Sequence, residues 1–263
     1  MPDLDTWISA LRASHERLTA VLTPLDELAV RRQSYASEWT IADVASHLGS
    51  QAEIFGLFLQ AGLDGTPAPT GETFPPIWDR WNRTRPPEQV SNSIAANETL
   101  LSRIESLTPT ERESFALNLF GRDVGLDGFA AMRLGEHAVH AWDVEVALDP
   151  AATLGPEAVM LLVDELPATA ARAGRPVEDP SQIVVRTSDP ARRFVLTTGP
   201  EVSLEPAPDG DPGAEPGAGL AELDLPAEAL IRLVYGRLDL EHTPDAVRHD
   251  EVLLPLRRLF PGF

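Results

Sequence analysis

Apolar residues recur every three or four positions through much of the first 170 residues, the spacing of amphipathic helices. Trp7, Leu11, Leu18 and Leu22 form one such stripe, with Asp5 or Thr6 placed to cap it, which predicts a helix to about residue 22. A second helix is predicted over about 40–61. Thr40 with Asp43 three residues on resembles a capping box, although Glu or Gln is the usual partner. A loop of Pro, Gly and Thr follows over 61–76, overlapping an aromatic run that contains Phe74, Trp78 and Trp81. Asn92 to Leu107 predicts a third helix, and Gly125 to Leu148 a fourth, stopped by Asp149-Pro150. Another runs from about Pro156 to Ala171, with proline suited to its first turn. Four long helices joined by loops predict a bundle.

The period changes near residue 175. Gln182–Thr187 and Arg193–Thr198 alternate as strands, joined by Ser188-Asp189-Pro190. Further strands are expected at 201–204 and 221–225. Between them lies a loop of Pro, Gly, Asp and Glu, from Pro206 to Gly219, with the composition of a mobile segment. Pro226 to Tyr235 predicts a helix closed by Gly236, and residues 251–260 a short helical tail. The expected organisation is therefore α followed by α+β: a helical bundle over 1–174 and a small α+β domain over 175–263.

Composition narrows the function. No apolar run approaches the ~18 residues that span a bilayer. The acidic start, Met1-Pro2-Asp3-Leu4-Asp5, lacks the basic and apolar regions of a signal peptide, so the cytoplasm is the expected location. The formal net charge of -20 and the lack of a basic patch argue against nucleic acid as a partner. The same charge repels an anionic substrate, which a local arginine must then hold. There is no cysteine, which excludes a protein thiol nucleophile and thiolate metal sites. All 21 basic residues are arginine, which removes lysine Schiff-base chemistry and fits the codon bias of a GC-rich genome.

The chemistry concentrates in three residues. Glu136 and His140 are four apart, just over one helical turn, and project from one helix face. A carboxylate and an imidazole so placed can grip one divalent ion, and His47 from an earlier helix supplies a third ligand. Three protein ligands leave a coordination position open for chemistry. Asp43, four before His47, and Asp143, three after His140, are placed either to orient a ligand imidazole or to cap and be solvated. Gln51 lies one turn beyond His47 and is a candidate to line the cavity. His137 lies about 100° round the helix from Glu136 and reads as a surface or interhelix residue. Arg133, one turn before Glu136, reads as a structural ion-pair partner or, as the second reading, a substrate contact, and Trp39, Trp78, Trp81 and Trp142 read as core or loop anchors rather than ligand stacks.

Two motifs around these residues resemble a known family. The segment Trp39-Thr40-Ile41-Ala42-Asp43-Val44-Ala45-Ser46-His47-Leu48, and Arg133, Glu136, His140 and Asp143 at their spacing, are similar to signatures of the mycothiol-dependent maleylpyruvate isomerases. These are DinB-like metal-binding four-helix bundles that carry a sterol-carrier-like α+β domain. The stretch from Leu223 to Leu238, a helix closed by Gly236-Arg237, resembles the usual ending of that domain.

The resemblance implies a zinc ion on His47, Glu136 and His140, and mycothiol as thiol cosubstrate. Mycothiol is the small thiol of actinobacteria, a source that the GC-biased composition also fits. It implies attack of the thiolate on a small electrophile, by isomerisation of a maleylpyruvate-like diacid or by S-transfer. It also implies an arginine of the second domain that holds a substrate carboxylate, for which Arg237 is the candidate; a helix C-terminal cation is the plain alternative. The expected state is a monomer or weak homo-oligomer, with no membrane partner. Two other classes stand beside this reading. One is a thiol-independent metal hydrolase in which Glu53, Glu136 or Asp43 removes a proton from water. The other is a non-catalytic ligand-binding protein.

Overall fold

The computed structural model describes residues 2–119, 121–207 and 220–262. They form two compact units, one up to Ala158 and one from Val159.

The first unit is built on four long helices. Helix α1 spans Leu4–Leu22. Its cap is Asp3 rather than Asp5 or Thr6: the Asp3 backbone is extended and its Oδ1 accepts from Thr6 N at 2.8 Å. Helix α2 spans Ile41–Asp64 and begins on a complete capping box. Asp43 N donates to Thr40 Oγ1 at 3.2 Å, and Thr40 N donates to Asp43 Oδ2 at 2.9 Å. The shorter Asp side chain thus does what Glu does in the usual box. Helix α3 spans Phe74–Asn82 and α4 spans Pro86–Glu105. Both start with proline in the first turn, where no amide donor is needed. The α4 helix therefore begins before Asn92, and the aromatic run is helical. A short helix α5 (Pro109–Ser114) and an antiparallel hairpin, β1 (Leu117–Leu119) with β2 (Arg122–Val124), lead into α6 (Leu126–Leu148).

Helix α2 packs along α4, and α1 along α6; α1 on α4 and α2 on α6 close the bundle. Leu18, Leu22, Ile41, Val44, Ala45, Leu48, Val90 and Val144 share one buried cluster. Burying each large aliphatic side chain contributes roughly 1.5–3 kcal/mol. Arg12 fastens α1 to α4 at the surface, 2.6 Å from Glu98 and 2.7 Å from Glu105. Gly49 permits a close approach: a Cβ there would stand 2.3 Å from the Trp81 ring. No helix of the described residues is long and apolar enough to cross a membrane.

The second unit contains most of helix α7 (Pro156–Ala173) and a four-stranded sheet. Its strands are β3 (Ser181–Ser188), β4 (Arg192–Thr198), β5 (Ser203–Pro206) and β6 (Ala221–Pro226), in the order β5-β4-β3-β6. Strands β3 and β4 are antiparallel with Val185 opposite Phe194, whereas β6 runs parallel to β3. Helix α8 (Ala227–Val234) follows β6, and α9 (Leu253–Leu259) lies near the end of the chain. Past α8, Gly236 takes φ +73, and a Cβ there would stand 2.2 Å from Gly262 N, a place that only glycine fills. Arg237 N then donates to Arg232 O at 2.6 Å.

The boundary falls before the sequence-based one at 174/175. Helical periodicity types α7 but does not say which core it joins. Asp164 of α7 pairs with Arg192 of β4 at 2.7 Å, and a Cβ on Gly174 would press on Val202, so the helix belongs with the sheet. Most of the expected loop from Pro206 to Gly219 lies outside the described residues.

Candidate metal centre

Helix α2 presents His47, and α6 presents Glu136 and His140 one turn apart. One ligand atom from each lies within 4.8 Å of the others. Glu136 Oε2 is 3.5 Å from His47 Nε2 and 3.9 Å from His140 Nε2. Two ligands bound at ~2.0–2.1 Å to one tetrahedral ion stand roughly 3.3 Å apart. Small side-chain movements therefore close this cluster on an ion. The decisive atom is His47 Nε2, which is buried and has no hydrogen-bond partner. Its nearest facing group is Glu136 Oε2 at 3.5 Å, a weak contact at the outer edge of hydrogen-bond range, so a buried ring nitrogen faces a carboxylate oxygen without a well-formed bond. An orphan of this kind costs about 1–3 kcal/mol unless something binds it. Two imidazole nitrogens and one carboxylate oxygen are a donor set suited to zinc.

The charge states agree with this. Burial pushes the His47 imidazole below its usual value despite the nearby Glu136, which keeps the ring neutral and able to donate a lone pair. Burial alone would raise Glu136, but His47, His140 and Arg133 outweigh it and hold the carboxyl at about 2. Glu136 is therefore anionic at neutral pH.

The structure brings Asp143 to the site. Its Oδ2 lies 2.9 Å from His140 Nδ1, and its side chain is fully buried. A proton on Nδ1 then leaves Nε2 as the lone-pair nitrogen on the Glu136 side. Asp143→Asn is expected to weaken zinc affinity by roughly 10–100-fold with little change in fold. Competition against a chelator of known affinity measures this, and an unchanged affinity removes Asp143 from the site.

Asp43 is not brought to the histidines as a ring partner: its carboxylate is turned to Thr40 in the capping box, a local bond available as soon as α2 forms. Gln51, one turn beyond His47, is half-buried, and its side chain makes no hydrogen bond with the described residues. Arg237 lies in the second unit, where its Nη1 donates to Tyr235 O at 2.7 Å. Glu53 is held by Arg80 and by Trp81 Nε1, at 3.0 Å from the latter. Those bonds outweigh burial and keep its carboxyl below the usual range.

Arg133 is buried in the bundle, where its Nη2 donates to Leu48 O and to Asn97. His137 is also buried and interhelical, 2.8 Å from Ser14 Oγ of α1. Trp39 is a loop anchor that also packs on the two histidines. Its ring centroid lies 5.1 Å from that of His47 and 6.0 Å from that of His140, forming a wall to both. The loop holds it there: Trp39 O accepts from Ser34 N at 2.9 Å, and Tyr35 N reaches Asp143 O of α6 at 3.0 Å. No periodicity rule links a residue ahead of a helix to a ring two turns into it; the only signal was its place in the Trp39–Leu48 motif.

Residues 11–145, just over half of the chain, match the sequence family described as the mycothiol maleylpyruvate isomerase N-terminal domain. The chain belongs to that family. The match contains all three residues of the cluster and Asp143. Among solved structures the chain is similar to a crystal structure of the mycothiol-dependent maleylpyruvate isomerase, with 16% identity and a TM-score of 0.65 over 90% of each chain. A histidine-to-alanine mutant of that enzyme matches with a TM-score of 0.66 at the same identity and coverage. A search of curated proteins gave no match. The fold is thus similar to that of the isomerase structures: a helical bundle followed by an α+β unit.

Proposed function

We propose that this protein is a zinc-dependent enzyme that uses mycothiol as a thiol cosubstrate on a small electrophile. The observation that carries the reading is the orphaned His47 Nε2, facing Glu136 and His140 within a family named for mycothiol chemistry. Among the described residues the cluster offers three ligands, which supports an open fourth position. A zinc ion held there supplies the positive charge that favours thiolate over thiol in a bound cosubstrate.

The chain's own residues do the rest. Glu136 contributes the anionic ligand, and Asp143 fixes the ring of His140. Trp39 walls the histidines on one side and limits water there. Gln51 is proposed to line the thiol position, and Arg237 to hold a substrate carboxylate against the repulsion of a strongly acidic chain. With no cysteine in the chain, the sulfur comes from outside. In an isomerisation the thiolate adds to one carbon of a double bond conjugated to a carbonyl, the π electrons move to that carbonyl as an enolate, the former double bond rotates as a single bond, and the enolate returns the pair and expels the thiolate. In an S-transfer by addition a proton from solvent takes up the enolate pair at carbon, and the new carbon–sulfur bond persists.

The hydrolase alternative has less support. Asp43 is engaged by Thr40, Glu53 by Arg80 and Trp81, and Glu136 belongs to the cluster. The test is turnover of maleylpyruvate by zinc-loaded protein with and without mycothiol, followed by titration of the remaining thiol. Thiol-dependent turnover that leaves the thiol unconsumed is the expected isomerase result. One-for-one consumption identifies transfer, and equal turnover without thiol overturns the proposal. In the same assay Arg237→Ala is expected to raise KM for the diacid at least about tenfold, the scale of one charged contact, with zinc content unchanged. An unaltered KM removes Arg237.

A further inference from the structure

The metal ligands come from two helices, so the cluster exists only while α2 and α6 keep one spacing and one rotation. Apolar packing holds helices together but is non-directional, and it permits small slides. A buried polar knot beside the cluster supplies direction. Arg133 lies one turn before Glu136 on α6 and is buried; its Nη2 donates at 3.2 Å to the carbonyl of Leu48, the residue after His47. The same nitrogen donates to Asn97 Oδ1 of α4. Asn97 Nδ2 in turn donates to Ser93 O at 2.9 Å and reaches Leu48 O at 3.4 Å. Three helices thus meet on the carbonyl next to a metal ligand. A helical carbonyl accepts such bonds with the lone pair that its own ladder leaves over. Arg133 touches α2 a second time, two turns further on, where its guanidinium stands 5.4 Å from the centroid of the Phe55 ring. Two contacts along one helix fix its rotation as well as its distance.

Stability alone does not call for this arrangement. A guanidinium is costly to bury, and apolar side chains of similar volume commonly serve a core as well or better. Here Nη1 is buried without a hydrogen-bond partner, and the charge is offset by Glu136, itself a member of the metal cluster.

We propose that Arg133 and Asn97 are positioning residues of the metal centre: their bonds to each other and to Leu48 O set how α2 carries His47 against Glu136 and His140. Neither touches the ion; both act through the helices that present the ligands. The inference rests on the metal reading proposed above and adds to it the part of the bundle that fixes the ligand geometry.

Variants of the full chain test it by competition for zinc against a chelator, measured on folded protein, and by the visible spectrum of the cobalt(II)-loaded form, which reports coordination geometry. Asn97→Leu removes the acceptor and is expected to weaken zinc binding roughly tenfold, the lower end for a group outside the ligands, and to shift the cobalt bands. Asn97→Asp keeps an oxygen for Arg133 and is expected to retain the parent affinity and spectrum. Because Asn97→Leu also leaves a buried cation with fewer partners, its Tm falls. Arg133→Met combined with Asn97→Leu removes donor and acceptor together, so its Tm is expected to return toward the parent value while zinc binding stays weak. A purely structural role makes affinity and spectrum recover with Tm. That recovery, or parent affinity and spectrum in Asn97→Leu, or an equal loss in Asn97→Asp, overturns the proposal. A parent protein that takes up no zinc overturns the metal reading and this inference with it; a parent that binds zinc no better than its variants overturns the positioning role alone.

Discussion

His140→Ala is expected to purify with almost no zinc, and His47→Ala likewise, each binding more than about 100-fold more weakly than the parent. That figure is the upper end for losing an outer partner alone, and a direct ligand contributes more. Each variant removes one of only three protein donors in the cluster. His140→Ala also deletes the ring that Asp143 contacts at 2.9 Å, so it removes the ligand and the group that orients it together. Neither histidine is fully buried, with side-chain exposures of 21% for His47 and 15% for His140, so the bundle itself survives. Metal analysis of the purified variants, normalised to folded protein, reads the effect. Undiminished zinc in both would remove the three-ligand site.

Trp142→Ala is expected to have the opposite profile: a large loss of stability with zinc stoichiometry kept in the folded fraction. Trp142 sits on α6 two residues beyond His140, about 200° round the helix, on the side away from the ligands. It is 1% exposed, donates from Nε1 to Ala152 O at 2.9 Å, and packs on the Tyr35 ring at 4.8 Å. Truncating such a ring costs about 3–5 kcal/mol, through lost transfer energy and the cavity left behind. For a unit of this size that corresponds to a fall in Tm on the order of 10 °C. Trp142→Phe is expected to recover much of it. A Tm within 2 °C of the parent, far below that scale, would show that the site collapses freely or that the ring is not packed as described.

The two sets of variants separate what the sequence made legible from what it did not. The pairing of Glu136 and His140 was legible because a helix converts a spacing of four into one face, so the two could be brought together without knowing the fold. His47 needed its surrounding motif, since nothing local says which helix faces α6. Helices α1, α2 and α6 were readable from long apolar stripes, and the start of α2 from Thr40 and Asp43. Prolines hid α3 and advanced the start of α4: Pro75, Pro76, Pro86 and Pro87 signal loops to a pattern reader, yet all are tolerated in a first helical turn. The burial of Arg133 was not legible because a guanidinium is ordinarily solvated. Only the tertiary structure supplies Leu48 O and Asn97 as its partners.

The most direct test of the central claim compares thermal stability of zinc-loaded and chelator-treated protein with mycothiol, with glutathione and with no thiol. Mycothiol is expected to raise the Tm of the zinc-loaded protein by several degrees and glutathione to raise it little, and the metal-free protein is expected to respond to neither. An equal response to both thiols, no response to mycothiol, or an equal mycothiol shift with and without zinc would contradict it.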